Sequence, residues 1–259
     1  MRRFSANISF MFNEYPMLER FAAAKRAGFG AIEIAFPYDT PVQDLKAAKE
    51  AQGLDMTVMN VPAGDTMTGG PGNSAVPGRE DEFKRALDQA VTYARVLKPG
   101  AVNVLSGAPL KEFERERCLE VMTRNAILAA DAFAAIGIPT IMEAINTRDR
   151  PGTLLSRTEE AMEVVRRANH PNLGIEFDIY HMKMMGEDLV PTATRYLKHI
   201  GNIQFADAPG RHEPGTGTCD FATVFSGIEK AGWTGYFAAE YFPAGKTEDG
   251  LSWMKTFAS

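Results

Sequence analysis

Residues 134–145 read AAIGIPTIMEAI. The stretch opens as the tail of a helical pattern in which Leu119, Met122, Ala126, Ala129, Phe133 and Ile136 recur at helical spacing. Glu114, Arg117, Arg124 and Asp131 fall among the residues between them. Gly137 then stops the helix, since glycine accepts the left-handed turn that ends one. TIMEAI follows as an apolar run of strand length with one carboxylate, Glu143, near its end. Helix, glycine stop, apolar strand and polar strand end form a unit, and the unit recurs along the chain.

The same stop appears in AGFG, AQGLD and AGWTG, each leading straight into an apolar run. Eight such runs are found, at residues 4–9, 31–36, 56–61, 101–105, 140–144, 174–179, 202–206 and 236–241. Amphipathic stretches such as 80–97 and 112–136 lie between them. Eight strands with at least seven intervening helices predict a single (β/α)8 TIM barrel over residues 1–259, and the length is usual for one. A doubly wound open sheet is the competitor. Its nucleotide-binding form would place a glycine fingerprint after the first strand, where this chain reads FMFNEYP.

Bulk composition narrows the function classes. The 28 basic and 33 acidic residues give a net charge of −5, which offers no electrostatic footprint for nucleic acid. No run is long enough to span a membrane, and charge and a proline arrive too early for a secretory leader. Cys118 and Cys219 lack zinc-site spacing and read as inert thiols of a reducing cytoplasm. Phe21 and Trp233, on outer helices, suit either the core or a contact between copies in a homo-oligomer.

Two connections are long, both following a strand and so rising from the active face of a barrel. One is PAGDTMTGGPGNSAVPGR, residues 62–79; the other follows Asp207. Both read as binding loops without secondary structure of their own.

The polar residues at strand ends carry the chemistry. TIMEAI offers Glu143, GIEFDIYH offers Asp178, NIQFAD offers Gln204 and YFAAEYFP offers Glu240. A lone carboxylate in an apolar strand is costly to bury unpaired. A divalent cation between the four would neutralise the cluster, and an oxygen-only donor set suits Mg²⁺ or Mn²⁺. The alternative is that each acid pairs with an arginine or caps the following helix. Glu33 and Glu176 are weaker candidates. Glu33 faces substrate or pairs with a neighbouring base, while Glu176 shares the side of Asp178 and sits one layer deeper or steadies a ligand. His181, three residues after Asp178, reads as substrate-facing. His212 reads equally well as a contact or as loop packing.

IMEAIN, FDIYHM, QFADAPGRHEPGTG and YFAAEYFP together resemble the hydroxypyruvate isomerase family of xylose-isomerase-like barrels, over essentially the whole chain. The resemblance implies that Glu143 and Glu240 are the acid/base pair and also metal ligands, with Asp178 and Gln204 completing the site. The related epimerases imply substrate contacts for His181 and Arg211. Those epimerases usually have a histidine where this chain has Gln204, which favours the isomerase branch.

The implied reaction interconverts hydroxypyruvate and 2-hydroxy-3-oxopropanoate through an enediolate. It needs one carboxylate near each carbon and a grip on the substrate carboxylate, for which Arg211 is the candidate. Pairing of Arg211 with Glu213 or another acid is the alternative. A four-carbon 2-oxo acid (2-oxotetronate) is the nearest other substrate, then a free ketose undergoing 3-epimerisation. A sugar-acid binding barrel without catalysis is the non-enzyme reading.

Overall fold

The computed structural model describes residues 1–258 as a closed barrel of eight parallel strands in sequence order. The strands are β1 (Phe4–Asn7), β2 (Ala31–Ile34), β3 (Asp55–Asn60), β4 (Ala101–Asn103), β5 (Thr140–Glu143), β6 (Leu173–Asp178), β7 (Ile200–Phe205) and β8 (Phe237–Ala239). Helices α1 (Met17–Arg26), α2 (Val42–Gln52), α3 (Glu80–Leu97), α4 (Arg115–Ala134) and α5 (Thr158–Ala168) connect the first six. Two helices, α6 (Ile179–Met184) and α7 (Leu189–Tyr196), lie between β6 and β7; α8 (Phe221–Lys230) precedes β8, and α9 (Trp253–Thr256) ends the chain. All eight expected strands form, so the expected barrel is the observed one. Its fourth and eighth strands are shorter than the sequence suggested, Ala101–Asn103 and Phe237–Ala239, although Glu240 N still donates to Phe205 O of β7 at 3.0 Å. The 112–136 helix begins later than expected: Pro109–Lys111 forms a separate 3-10 turn and Glu114 is extended.

Alternation along the strands sorts the two faces of the sheet. Phe4, Ala6, Ile32, Ile34, Met142, Ile175, Phe177, Ile203, Phe205, Phe237 and Ala239 belong to the main hydrophobic core, which the helices cover. Between them fall buried Ser5, Asn7, Glu33, Glu143, Glu176, Asp178, Asn202, Gln204 and Glu240. A period of two puts these polar residues inside the barrel. The interior is therefore a polar network, with Val58, Ala101 and Ile141 as a separate small apolar cluster.

Closure depends on joining the last strand to the first, with Phe4 in register with Phe237. Aromatic packing fixes that seam. The Phe225 ring of α8 lies 4.6 Å from Phe237, 5.1 Å from Phe205 and 6.0 Å from Phe4 by centroids. Arg2 lies over Phe225 at 5.1 Å and grips Glu229 with two hydrogen bonds of 2.9 and 2.7 Å.

The 62–79 loop differs from expectation. It contains a 3-10 helix, Gly64–Thr68, and is stapled by Asp65, which accepts from Gly72 N at 2.8 Å and pairs with Arg79 at 2.9 Å. Asn125 Nδ2 of α4 donates to Ser74 O at 2.8 Å, fixing the far half of the loop. It is a built wall of the barrel mouth, because its backbone polar groups find partners within the loop and on α4.

Phe225→Ala should lower the unfolding free energy by about 3–5 kcal/mol, the usual cost of emptying a large aromatic site. Urea denaturation measures it, and a loss below about 1 kcal/mol would show that the seam does not depend on this ring.

Candidate active site

Glu143 and Asp178 end β5 and β6, Gln204 is the penultimate residue of β7, and Glu240 follows β8 directly. A cavity of about 250 Å³ opens above them, lined by Glu143, His181, Arg211 and Glu240 among others. Asp178 and Gln204 are buried beside these groups, in register with each other, without forming the cavity wall.

Each acid has a different set of partners. Asp178 spends Oδ1 on the start of α6, accepting from Tyr180 N at 2.7 Å and His181 N at 3.3 Å. Its Oδ2 lies 3.6 Å from His181 Nε2, and Glu143 Oε1 lies 3.5 Å from the same nitrogen. Asn103 Nδ2 donates to Glu143 Oε2 at 3.2 Å. Glu240 Oε1 accepts from Asn7 Nδ2 at 2.9 Å and Gln204 Nε2 at 3.3 Å, and its Oε2 from Arg211 Nη2.

Burial pushes all three carboxyls up. Glu240 and Asp178 rise to about 7, with Arg211 opposing the shift in both. Glu143 goes well above its usual range, through burial and then the charges of Glu240 and Asp178. Burial opposes the charge on Arg211, but Glu240, Asp178 and Glu143 more than offset it and hold the guanidinium protonated. Fully ionised, three carboxylates against one guanidinium leave two uncompensated negative charges.

Gln204 is oriented by its acceptors. Nε2 donates to Glu33 Oε2 at 2.8 Å as well as to Glu240, so the amide oxygen takes the other side. That oxygen is buried and has no hydrogen-bond partner. An orphaned buried acceptor is expensive unless something else binds it. Glu143, Asp178 and His181 each bring one ligand atom within 4.8 Å of the others, a group that could hold a metal ion.

The share of His181 in that group follows from Asn146. Asn146 Oδ1 accepts from Arg148 N at 3.0 Å and Asp149 N at 2.9 Å, which turns its Nδ2 towards His181 Nδ1, 2.7 Å away. Nδ1 must then accept, so the neutral ring carries its proton on Nε2. Burial and the neighbouring Arg211 hold the pKa well below the usual histidine value, so the ring is neutral. His181 therefore presents a donor to the cavity rather than a lone pair.

Arg211 sits on a loop built by Asp207. Asp207 Oδ1 accepts from Ala208 N at 2.9 Å and Cys219 N at 3.0 Å, Oδ2 accepts from Gly215 N at 2.8 Å, and Asp207 O accepts from Arg211 N at 3.0 Å. Arg211 itself has φ of 57°, a region that a side-chain-bearing residue enters only when its surroundings fix it. Its guanidinium is turned onto Glu240, not onto Glu213, whose Oε2 accepts from Ala244 N at 3.0 Å. His212 packs the loop, with Nδ1 2.6 Å from Phe242 O.

Glu33 accepts from Thr57 Oγ1 at 2.9 Å, Asn202 Nδ2 at 2.7 Å and Gln204 Nε2 at 2.8 Å, away from the cavity wall. That placement suits holding the Gln204 amide rather than touching a ligand. Glu176 accepts from Asn202 Nδ2 at 2.7 Å, likewise away from the wall. Asn7, Asn103 and Asn146, which orient the acids and His181, escaped the sequence reading. For Asn7 the available signal was its inward period with Ser5.

A family model described as xylose isomerase-like TIM barrel matches residues 21–257. The chain is 37% identical over 257 residues to a 2-oxo-tetronate isomerase of Cupriavidus necator, covering 99% of both chains. It is 38% identical over 257 residues to the hydroxypyruvate isomerase of Escherichia coli, covering 99% of this chain and 100% of that one. A crystal structure from Brucella melitensis, described as an AP endonuclease of family 2, superposes with a TM-score of 0.95 at 38% identity, covering 99% of each chain. With the closed eight-strand barrel and acids at the ends of its strands, these likenesses establish that the chain belongs to the xylose isomerase-like TIM barrel family, in the branch of the hydroxypyruvate and 2-oxo-tetronate isomerases.

Proposed function

We propose that the protein is a metal-assisted isomerase of small 2-oxo acids, converting hydroxypyruvate to 2-hydroxy-3-oxopropanoate. The observation that carries this reading is a cluster of three buried carboxyls relieved by a single ion pair, to Arg211, with the Gln204 amide oxygen unpartnered beside them. Glu143, Asp178, Gln204 and Glu240 would hold one divalent cation, whose charge would offset that of the acids. An oxygen donor set favours Mg²⁺ or Mn²⁺. When bound, such a cation polarises a carbonyl and stabilises charge on neighbouring oxygens.

The residues of the chain divide the remaining work. Glu240 carries Arg211 and two amide donors, while Glu143 carries only Asn103, so Glu240 is the better base for the first step. It takes a proton from the hydroxymethyl carbon of hydroxypyruvate. Glu143 returns a proton to the neighbouring carbon, while the hydroxyl proton passes from one substrate oxygen to the other; the roles reverse in the opposite direction. The Nε2–H of His181, with no acceptor at hydrogen-bond distance, donates to the oxygen on which charge develops. Arg211 keeps Glu240 ionisable and lies over the Tyr180 ring at 5.3 Å, at the edge of the same cavity.

The cavity of about 250 Å³ suits a three- or four-carbon acid. The 37% identical 2-oxo-tetronate isomerase supports the four-carbon acid as the second reading. Among the described residues no helix is long and apolar enough to cross a membrane, and both cysteines are free, in keeping with a cytoplasmic enzyme.

Proton NMR in D₂O, with the protein stripped of metal and then given Mg²⁺ or Mn²⁺, tests the reaction and compares the two acids. Solvent deuterium should enter the product carbon only with cation present. Binding without exchange would indicate a sugar-acid binding barrel instead. Glu240→Gln and Glu143→Gln should each lower turnover by at least about 100-fold with an unchanged circular dichroism spectrum. Near-wild-type turnover in either would remove that residue from the pair.

The acids also predict a pH signature. Glu33, Asp178 and Glu240 titrate higher when folded than unfolded, each near 7. The stability they confer is complete below the unfolded value of about 4 and is lost as pH rises through about 7. The metal-free melting temperature should fall between about pH 5 and pH 8, and added Mg²⁺ or Mn²⁺ should cancel most of that fall. A melting temperature indifferent to cation at pH 8 would argue against the metal site.

A further inference from the structure

We propose that Arg150, on the β5–α5 loop, is the residue that recognises the substrate carboxylate. The inference rests on reading the cavity as a 2-oxo acid site, and it names the group that makes the site selective for acids over neutral ketoses.

Among the described residues, two cations line the cavity, Arg150 and Arg211. Arg211 is ion-paired to Glu240 through Nη2, although its Nε, like that of Arg150, has no acceptor. Among the described residues Arg150 has no ion-pair partner; its Nη2 donates at 2.6 Å to a neutral acceptor, Gly70 O. Its Nε is buried and has no acceptor at all. Asp149, the adjacent acid, has Oδ2 occupied by the Tyr180 hydroxyl at 2.9 Å and the Asn146 amide at 3.0 Å. The cavity therefore holds a cluster of carboxylates around Arg211 and, apart from that cluster's ion pair, a guanidinium at Arg150 that makes no ion pair with the neighbouring Asp149. A ligand with hydroxyl and carbonyl oxygens at one end and a carboxylate at the other matches both. The planar fork of a guanidinium suits a carboxylate better than any other cationic side chain.

The backbone holds Arg150 in place relative to the reacting groups. Its N–H donates to Asn146 O at 3.1 Å, and its carbonyl accepts from Thr153 N at 3.2 Å. Asn146 is the residue that sets the His181 tautomer, so one turn positions both the donor to the reacting oxygen and the carboxylate anchor. The bond to Gly70 ties this turn to the 62–79 loop, whose Thr66 and Met67 form part of the same cavity.

The test compares hydroxypyruvate with dihydroxyacetone, which keeps the hydroxymethyl ketone and replaces the carboxylate by a hydroxymethyl group. Arg150→Met should raise KM for hydroxypyruvate about 10- to 100-fold, the range for losing hydrogen bonds to a charged group. Its kcat should change less, and kcat/KM for dihydroxyacetone should stay within about twofold. Arg150→Lys should recover part of the loss. Equal losses on both substrates would make Arg150 a loop strut and overturn the proposal, as would unchanged hydroxypyruvate kinetics. Calorimetric titration with D-glycerate separates this proposal from the reaction assignment. Binding to wild type that Arg150→Met abolishes supports the carboxylate anchor even if no isomerisation occurs. Equal binding to both proteins, or binding to neither, overturns it while leaving the isomerase reading to the exchange experiment.

Discussion

Burying acids inside a closed barrel is the constraint on which the rest of this structure depends. Glu33, Glu143, Glu176, Asp178 and Glu240 are all nearly inaccessible to water, and burial is the largest cause driving each carboxyl upward. The barrel answers with amides. Asn7, Asn103, Asn202 and Gln204 all donate side-chain N–H groups to these carboxylates. A neutral donor satisfies a lone pair without cancelling charge, so the network stabilises the acids and leaves them electrically hungry. Arg211 answers part of that demand, and the upward shift of the carboxyls lets protons answer more of it.

This arrangement moves the hydrophobic core elsewhere. In many barrels the interior is filled by branched apolar side chains. Here the apolar core lies between sheet and helices, and its aromatic cluster around Phe225 closes the seam between the first and last strands. The separation has a functional consequence. The interior can be polar up to the mouth because the outer layer supplies the apolar burial that holds the sheet together, and the strand ends then present acids on rigid backbone.

The loops complete what the strands begin. Asp207 organises one by accepting three backbone N–H groups, which fixes Arg211 in a left-handed conformation beside Glu240. Asn146 organises another and passes its orientation to His181. In each case a short polar side chain substitutes for regular secondary structure and aims a charged or titratable group, four residues away for Asp207 and Arg211 and 35 away for Asn146 and His181.

The sequence by itself determined the barrel, because glycine stops and apolar strand runs are local signals that survive without any long-range contact. It also determined that Glu143, Asp178, Gln204 and Glu240 would gather, since all strands of a parallel barrel end at one mouth. Tertiary structure alone decided how those groups face one another. The turning of Arg211 onto Glu240 and the placement of Glu33 under Gln204 rest on contacts between residues 29 and 171 positions apart. The protonated nitrogen of His181 was likewise invisible in FDIYHM, because it depends on an asparagine 35 residues away whose own oxygen is occupied by backbone. Periodicity encodes which face a side chain takes; which partner it meets there is set by the closure of the barrel.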